Sequence, residues 1–280
     1  MIAAAAARPI RAPGPMVLAS LAVLWLLLVI GAPLATIIAG ALSKGLAEFL
    51  AAFKEPDALA AIRLTLLVAA IAVPLNAAFG LAAAWSVAKF EFRGKALLLT
   101  LIDLPLSMSP VISGLVWVLI FGARGWFGPL LGDHIKIIYA LPGIVLGTIL
   151  VTVPLIAREL IPLMTQQGAD EELAATTLGA GGWTLFRRVT LPNVRWALLH
   201  GVLLCNARAM GEFGAVSVLS GHIRGLTETL PLHVEALYND YDFVGAFSAA
   251  TLLAALAIVT LVARAVLERL ALGDTPRSAT

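Results

Sequence analysis

Residues 168–192, GADEELAATTLGAGGWTLFRRVTLP, are the longest polar stretch in a chain that is otherwise mostly apolar. The stretch groups Asp170, Glu171 and Glu172 near its start, and carboxylates stabilise the positive end of a helix dipole. Gly179 follows where that helix must end, because glycine tolerates the left-handed backbone of many helix ends. The stretch therefore predicts two short helices around a glycine-containing turn.

This polar segment also carries a small apolar surface and a basic pair. Ala174 and Ala175 lie in the first predicted helix, and Arg187 and Arg188 lie in the second. Pro192 suits the first turn of the apolar helix that follows. A segment of this kind, projecting from apolar surroundings, is suited to bind a soluble partner protein.

Composition places the chain among integral membrane proteins. Hydrophobic residues make up 60% of the sequence and charged residues 13%, against about 25% charged in soluble domains. The mean hydropathy is +0.97. The single cysteine, Cys205, cannot form a disulfide within the chain, and the four histidines show no metal-ligand spacing. We expect neither a metal site nor another cofactor.

Enzymatic activity is not expected of this chain. The sequence contains no glycine-rich phosphate loop of the Walker type, so any ATP must be hydrolysed by a partner. It also lacks the Gly-x-Ser-x-Gly setting of a serine nucleophile, which argues against an intramembrane protease.

Six apolar runs are each long enough to cross a hydrocarbon core about 30 Å thick. The first run is longer than the apolar core of a secretory signal, so we interpret it as a membrane helix. The sequence therefore predicts an all-α, polytopic membrane protein. Its predicted spans are residues 16–42, 62–88, 96–121, 137–164, 196–220 and 244–267.

Lys and Arg are distributed unevenly between the two sides of this arrangement. Twelve basic residues fall on the side of the termini and of the polar segment, and five fall on the other side. Because basic residues favour the cytoplasmic side, both termini and the polar segment are expected in the cytoplasm. Arg158 is one of the twelve.

Three ionisable residues fall well inside the predicted spans, namely Asp103 in the third and Arg208 and Glu212 in the fifth. A charge at the bilayer centre costs about 2.5–3.5 kcal/mol for Arg or Asp unless it faces protein or water. Arg208 and Glu212 are four residues apart and share one helix face. Two interpretations stay open: a polar lining of a translocation pathway, or a buried ion pair that holds the fifth span against its neighbours.

The third span contains Pro105 and Pro110, which cannot both sit in a regular helix, so this span is expected to be broken near its middle. Broken helices at membrane depth commonly line a cavity. Ser107 and Ser109 lie at the break and are candidate pathway residues. A structural kink without ligand contact is the alternative.

The spacing within the polar segment resembles the EAA loop of ABC importer permeases. That motif reads Glu-Ala-Ala, three residues, Gly, nine residues, an aliphatic residue, any residue and Leu-Pro. Ala174-Ala175, Gly179 and the run from Val189 to Pro192 match it in spacing and type. The resemblance implies that the segment is a coupling helix that docks into a groove of an ATP-binding subunit.

One position departs from this motif. Leu173 stands where the motif has its Glu, with Glu171 and Glu172 just upstream, so the polar contact of that Glu is expected to be shifted or absent. The residues expected to couple to the ATPase are Glu171, Glu172, Ala174, Ala175, Gly179, Leu191 and Pro192.

Three further segments, residues 103–114, 204–225 and 229–247, resemble the W-type membrane subunit of the bacterial sulfate/thiosulfate ABC importer. The run NARAMGEFG, which begins at Asn206, is the most specific part and adds Asn206 to the candidate pathway residues. Molybdate permeases share a shorter version of this run. A molybdate- or tungstate-type oxyanion permease is therefore an open alternative. An ATP-independent channel or secondary transporter is less favoured, because the sequence indicates only one interrupted helix instead of pairs.

The resemblance also implies an assembly and a fold. The fold is the transmembrane domain of a type I ABC importer, which works by alternating access. The implied partners are a T-type permease, two copies of an ATP-binding subunit and a periplasmic sulfate-binding protein in the bacterial inner membrane, with no nucleic acid. The chain would divide into an N-terminal tail, first span and linker (1–58), a permease core (59–267) and a C-terminal cytoplasmic tail (268–280).

Overall fold

A computed structural model describes residues 14–131 and 135–274, which form helices and no strand. The predicted basic tail with Arg8 and Arg11, and Arg277 near the other end, lie outside the described residues. The helices are α1 (Gly14–Leu26), α2 (Ala32–Ala41), α3 (Leu46–Ala52), α4 (Pro56–Lys89), α5 (Lys95–Ser107), α6 (Pro110–Phe121), α7 (Gly128–Leu131), α8 (Leu141–Gln167), α9 (Asp170–Thr177), α10 (Gly182–Leu185), α11 (Leu191–Met210), α12 (Gly214–Ser220), α13 (Leu230–Asn239) and α14 (Phe243–Asp274). Two π-helical turns, Leu27–Gly31 and Phe186–Thr190, join α1 to α2 and α10 to α11.

The predicted all-α, polytopic fold is confirmed. Within the described residues, four continuous helical segments are long and apolar enough to cross a membrane. Two bent pairs raise this number to six if each counts as one span, which matches the six predicted spans. The continuous segments are Met16–Ala41, Pro56–Lys89, Leu141–Gln167 and Phe243–Leu267, and the bent pairs are α5 with α6 and α10–α11 with α12.

The predicted break in the third span is present, and it turns the chain by 113° between α5 and α6. Pro105 stays inside α5, whereas the backbone becomes extended at Met108 and Ser109. The residue before a proline is pushed out of the helical region by the proline ring, so the break comes directly before Pro110. Pro110 then occupies the first turn of α6, where its missing N–H costs nothing.

A second break interrupts the fifth span, where the sequence was expected to run as one helix. The chain bends by 51° between α11 and α12, across Gly211, Glu212 and Phe213. The expectation of a single interrupted helix was therefore wrong. Glycines on both sides of Glu212 permit this bend, but glycine alone does not force a helix to end.

Helices α4, α8 and α11 form the centre of the molecule. Ile156 and Leu160 of α8 are fully buried there, together with Val194 and Cys205 of α11. Small residues let these backbones approach closely, because lipid provides no hydrophobic force to push membrane helices together. A Cβ on Gly80 of α4 would lie only 2.9 Å from Cβ of Ile156.

A buried amide adds a polar contact to this centre. Asn76 of α4 donates hydrogen bonds to the hydroxyl of Thr152 (2.7 Å) and to the carbonyl of Ile149 (3.3 Å) on α8. The hydroxyl of Thr152 in turn donates to the carbonyl of Thr148 (2.7 Å). Interhelical hydrogen bonds of this kind contribute about 0.6 kcal/mol each in membranes, so they fix the register of α4 on α8 more than they stabilise it.

The first span packs on the molecule at one end only. Gly40 of α2 lies against the ring of Phe247 on α14. The most apolar stretch of this span has no buried residue, and Trp25 and Leu28 are exposed. This surface is apolar enough to face lipid or another membrane helix.

Several boundaries differ from the sequence prediction. The helix of the second span begins at Pro56 and not at residue 62, and α11 begins at Leu191 and not at residue 196. The linker between the first two spans contains a short helix, α3, at whose end Phe49 and Phe53 pack edge to face. The last helix continues to Asp274, beyond the predicted end of its span at residue 267.

We expect Gly80→Val to destabilise the protein, because its side chain would meet Ile156 and the backbone nitrogen of Ala157, which cannot move cheaply. Overpacking of this kind costs about 1–3 kcal/mol. Thermal unfolding of the detergent-solubilised protein measures the effect. Gly31→Val is the matched control, since nothing lies within 4 Å of a Cβ at that position. Equal melting temperatures for the two variants would contradict the close approach of α4 and α8.

Candidate functional site

The polar segment folds as predicted, with α9 and α10 on either side of a glycine turn. Asp170, Glu171 and Glu172 occupy the first turn of α9. Gly179 has a φ of +86°, and its N–H donates to the carbonyl of Thr176 (2.9 Å). Apart from its neighbours along the chain, nothing lies within 4 Å of a Cβ built on Gly179. The backbone conformation alone therefore favours glycine at this position.

Glu171 and Glu172, the two residues directly before Leu173, both bind groups of their own chain. The carboxylate of Glu172 accepts a hydrogen bond from Thr190 (2.8 Å) and lies 3.1 Å from Nζ of Lys89. The side chains of Lys89 and Glu172 are only 8% and 13% exposed. Glu171 accepts a hydrogen bond from Asn193 of α11. The two carboxylates therefore tie α9 to the end of α4 and to the start of α11.

Aromatic rings hold the other half of the segment to α4. Phe186 packs on Trp85 with ring centroids 5.1 Å apart, and Trp183 stacks on Phe186 at 5.7 Å. Arg187 and Arg188, which follow, are both exposed. The segment is thus attached at both of its helices, so α9 and α10 move with the membrane helices that hold them.

Three large apolar side chains of the segment are exposed. Leu178 is 89% exposed, and Leu173 and Trp183 are also exposed. Leu173, at the position of the motif's Glu, is therefore exposed, and its side chain makes none of the polar contacts described above. We call Leu173, Leu178 and Trp183 the exposed apolar residues of the segment.

The remaining coupling candidates take the positions expected of them. Ala174 and Ala175 lie on α9, between the acidic turn and the glycine turn. Leu191 is the first residue of α11, and Pro192 lies in its first turn. The predicted start of the following membrane helix is confirmed.

The two broken spans meet at their breaks. A Cβ on Gly214, at the start of α12, would lie 2.8 Å from Cβ of Pro110 at the start of α6. Further along, a Cβ on Gly114 would lie 2.7 Å from the carbonyl oxygen of Ala215. Beyond their breaks, α6 and α12 are therefore packed backbone against backbone.

Arg208 and Glu212 form an ion pair across the second break. Nη1 of Arg208 lies 2.7 Å from Oε2 of Glu212, whose side chain is fully buried, while that of Arg208 is 39% exposed. Oε1 of Glu212 also accepts a hydrogen bond from the backbone N–H of Ala215 (2.9 Å). The carboxylate therefore joins the end of α11 to the start of α12, and one side of the guanidinium stays open.

Asp103 forms another ion pair inside the spans. Nε of Arg158 donates to Oδ1 of Asp103 (2.7 Å), which links α5 to α8. Arg158 was expected on the cytoplasmic side of the chain, but it lies within α8, nine residues before the end of that helix. The expected count of twelve basic residues on that side becomes eleven, which does not alter the asymmetry.

The other three pathway candidates are distributed over both broken spans. The hydroxyl of Ser107 donates to the carbonyl of Leu104 (2.8 Å) at the end of α5, and Ser109 is exposed at the break itself. The amide of Asn206 lies half-buried on α11, 3.6 Å from the sulfur of Met210. The six candidates thus form two groups, one around Asp103 and Ser107 and one around Arg208 and Glu212.

Comparison with known proteins gives the family. A family model described as "binding-protein-dependent transport system inner membrane component" matches residues 76–271. This chain belongs to that family of importer permeases. It is 53% identical over 237 residues to the sulfate transport system permease protein CysW of Escherichia coli. The aligned region covers 84% of this chain and 81% of that protein. The CysW protein of Synechococcus elongatus is 51% identical over 91% of this chain and 89% of that protein.

More distant relatives agree on fold. The sulfate transport system permease protein CysT of E. coli is 31% identical over 89% of this chain and 90% of its own length. The crystal structure of a bacterial ABC transporter that imports the acidic polysaccharide alginate has a TM-score of 0.74 at 16% identity, covering 93% of this chain and 96% of that one. The predicted resemblance is confirmed: the chain is a multi-pass membrane permease of an ABC importer and is not itself catalytic.

We expect Glu212→Ala and Arg208→Ala each to lower the melting temperature, because each leaves a charge without its partner. Leaving a buried charge unpaired costs about 3–5 kcal/mol, so the larger loss is expected for Arg208→Ala, which strands the fully buried carboxylate of Glu212. The double variant Arg208→Met with Glu212→Gln should melt close to the native protein, since the amide oxygen can still accept from Ala215. Melting curves of the detergent-solubilised protein distinguish these outcomes. Single variants as stable as the native protein would show that the pair does not hold α11 to α12.

Proposed function

We propose that this protein is the permease subunit of an ATP-driven importer for sulfate or thiosulfate. The observation that supports the proposal is sequence similarity: about half of the aligned residues are identical to those of permeases named for sulfate transport, over most of both chains. The molybdate- or tungstate-type alternative is less supported, because the relatives at this level of identity are sulfate permeases. A channel or secondary transporter is disfavoured by the family itself.

The coupling loop is proposed to be residues 168–192, with α9 and α10 docking onto an ATP-binding subunit. The exposed apolar residues of this loop suit a groove on a soluble protein, because burial of apolar surface is the main driving force of most protein–protein association. Glu171 and Glu172 are proposed to act by positioning, since both carboxylates bind the protein's own helices. Gly179 permits the turn between the two helices.

A T-type permease is proposed as the second membrane subunit. The relation to both W-type and T-type sulfate permeases supports a pair of related subunits around one pathway. The exposed apolar helix α1 adds surface for such a pair. A periplasmic binding protein is proposed to deliver the anion, as the alginate transporter has been seen in complex with a periplasmic protein.

The proposed orientation places both termini and the coupling loop in the cytoplasm of a bacterial cell. The excess of basic residues on that side supports it. The ATP-binding subunits, proposed as two copies, would then sit below the loop.

The proposed mechanism is alternating access driven through this loop. A movement of α9 is transmitted to α4 by the contact of Glu172 with Lys89. It is transmitted to α11 by the hydrogen bonds that Thr190 and Asn193 donate to the loop's carboxylates. The far end of α11 carries Arg208 and the second break. A shift of the loop therefore reaches the region where the two broken spans meet, which is the proposed pathway for the anion.

Reconstitution tests the proposed function directly. The permease, its T-type partner, the ATP-binding subunit and the periplasmic binding protein are placed in liposomes, and uptake of radiolabelled sulfate, thiosulfate and molybdate is measured with and without ATP. ATP-dependent uptake of sulfate or thiosulfate is expected. Uptake of molybdate alone would move the assignment to the other oxyanion, and uptake without ATP would contradict an ABC importer.

We expect Gly179→Val to uncouple ATP hydrolysis from transport, because valine resists the left-handed backbone at this position by about 1–2 kcal/mol. Uptake should fall about tenfold while basal ATP hydrolysis continues. Gly182→Val is the matched control in the same loop, since it has no close neighbour and no positive φ. The coupling role of the turn would be refuted by normal uptake and normal stimulated ATPase activity in Gly179→Val.

A further inference from the structure

The pair formed by Arg158 and Asp103 lies deep in the membrane-spanning part of the molecule. Asp103 is eight residues from the start of α5, and Arg158 is nine residues from the end of α8. At about 1.5 Å per residue, both lie about 12–14 Å from the ends of their helices. The hydrocarbon core is about 30 Å thick, so a pair this far from both helix ends lies well inside the membrane-spanning part of the molecule.

This pair is exposed in the isolated subunit. The side chains of Arg158 and Asp103 are 56% and 46% exposed, in an open depression of about 510 Å³. The depression is lined by Thr100, Asp103, Leu104, Leu106, Ser107 and Arg158. Charged groups at this depth cannot face lipid without a large cost, so this side must face water or another protein subunit.

The end of α5 favours water over a dry subunit contact. α5 stops at Ser107, in the middle of a predicted span, so its last carbonyl groups have no helical partner. Irregular backbone at membrane depth is tolerated where it is buried in protein or where it lines a water-filled cavity. Ser107 and Ser109 at this break are exposed and not buried, and Ser107 and Asp103 line the same depression. Exposure at the break therefore favours a water-filled cavity, which places the charged pair on the aqueous pathway.

The pairs that Arg208 and Arg158 form inside the spans differ in the contacts that surround them. Glu212 is fully buried and also binds the start of α12, so its pair with Arg208 cannot open without disturbing the second break. Asp103 is half-exposed and its carboxylate binds Arg158 through one oxygen. The pair of Arg158 with Asp103 can therefore open into water while the helices around it stay packed.

We propose that Arg158 binds the transported oxyanion and that Asp103 competes with the anion for it. This inference rests on the proposed function. A guanidinium has five N–H donors, and Asp103 engages Nε, so the Nη groups can donate to a tetrahedral oxyanion. Asp103 and the negative end of the α5 dipole weaken that contact. Weak binding is what a pathway needs, because the anion must also leave.

Retention of radiolabelled sulfate by the purified complex of both permeases and the ATP-binding subunit tests this competition. Asp103→Asn should retain about tenfold more sulfate than the native complex, because the guanidinium loses its internal partner. The same variant should import sulfate more slowly, since release becomes limiting. Adding Arg158→Gln to Asp103→Asn should return retention to the native level.

Uptake by Arg158 variants provides the second measurement. Arg158→Gln should lower ATP-dependent sulfate uptake about tenfold, and Arg158→Lys should recover part of it, because lysine keeps the charge but not the planar donors. Melting curves and co-purification of the T-type permease accompany each variant. If Arg158→Gln does not fold, sulfate retention by the Asp103→Asn complex is by itself the test of the proposal.

Glu91→Gln is the matched control, because it removes the carboxylate from an exposed pair with Lys95, beside the start of α5 (2.7 Å). The Glu91→Gln complex should retain as much sulfate as the native complex. An equal rise of sulfate retention in Glu91→Gln and in Asp103→Asn would overturn the proposal. Unchanged retention in Asp103→Asn, or loss of the T-type subunit from Arg158→Gln, would also overturn it. Sulfate uptake by the native complex tests the proposed function separately, so the two failures are distinguishable.

Discussion

The structure depends on one constraint: inside a bilayer, every charge and every free backbone group must meet protein or water. Two of its spans are broken near mid-depth, which leaves helix ends where lipid would otherwise be. The breaks are tolerated because they lie together, with Gly214 against Pro110. Glu212 then satisfies a backbone N–H at the start of α12. The ion pairs of Arg208 with Glu212 and of Arg158 with Asp103 thus lie beside these breaks.

The features of this fold that follow from a single residue and its neighbours could be predicted from the sequence. Pro110 forbids a helical residue before it, and Gly179 occupies a turn that other residues resist, so both could be read directly from the chain. The second break could not, because Gly211 and Gly214 only permit a bend that packing of α12 on α6 then selects. Arg158 falls inside the predicted span 137–164 but was counted with the basic residues of the cytoplasmic side. Nothing in the sequence pairs it with Asp103, which lies 55 residues away and which the structure places 2.7 Å from it.

The proposed coupling loop has an attached side and an exposed side. It is held to α4 and α11 by polar contacts, with Glu172 between Lys89 and Thr190, and by the packing of Phe186 on Trp85. Leu178, by contrast, is almost fully exposed. Because the side chains of Lys89 and Glu172 are largely buried, water and salt screen their contact little, and the loop stays attached to these helices.

Leu173 has a consequence for how transport systems coexist in one cell. The position that holds a carboxylate in the general motif here holds an exposed aliphatic side chain, and the neighbouring Glu172 is occupied inside the protein. If the loop docks as proposed, the ATP-binding subunit must offer an apolar contact at that point. A subunit shaped for a carboxylate would have to leave a polar group unpaired on docking, which is costly. Under the proposed docking, this one side chain would therefore disfavour exchange of ATP-binding subunits between parallel importers.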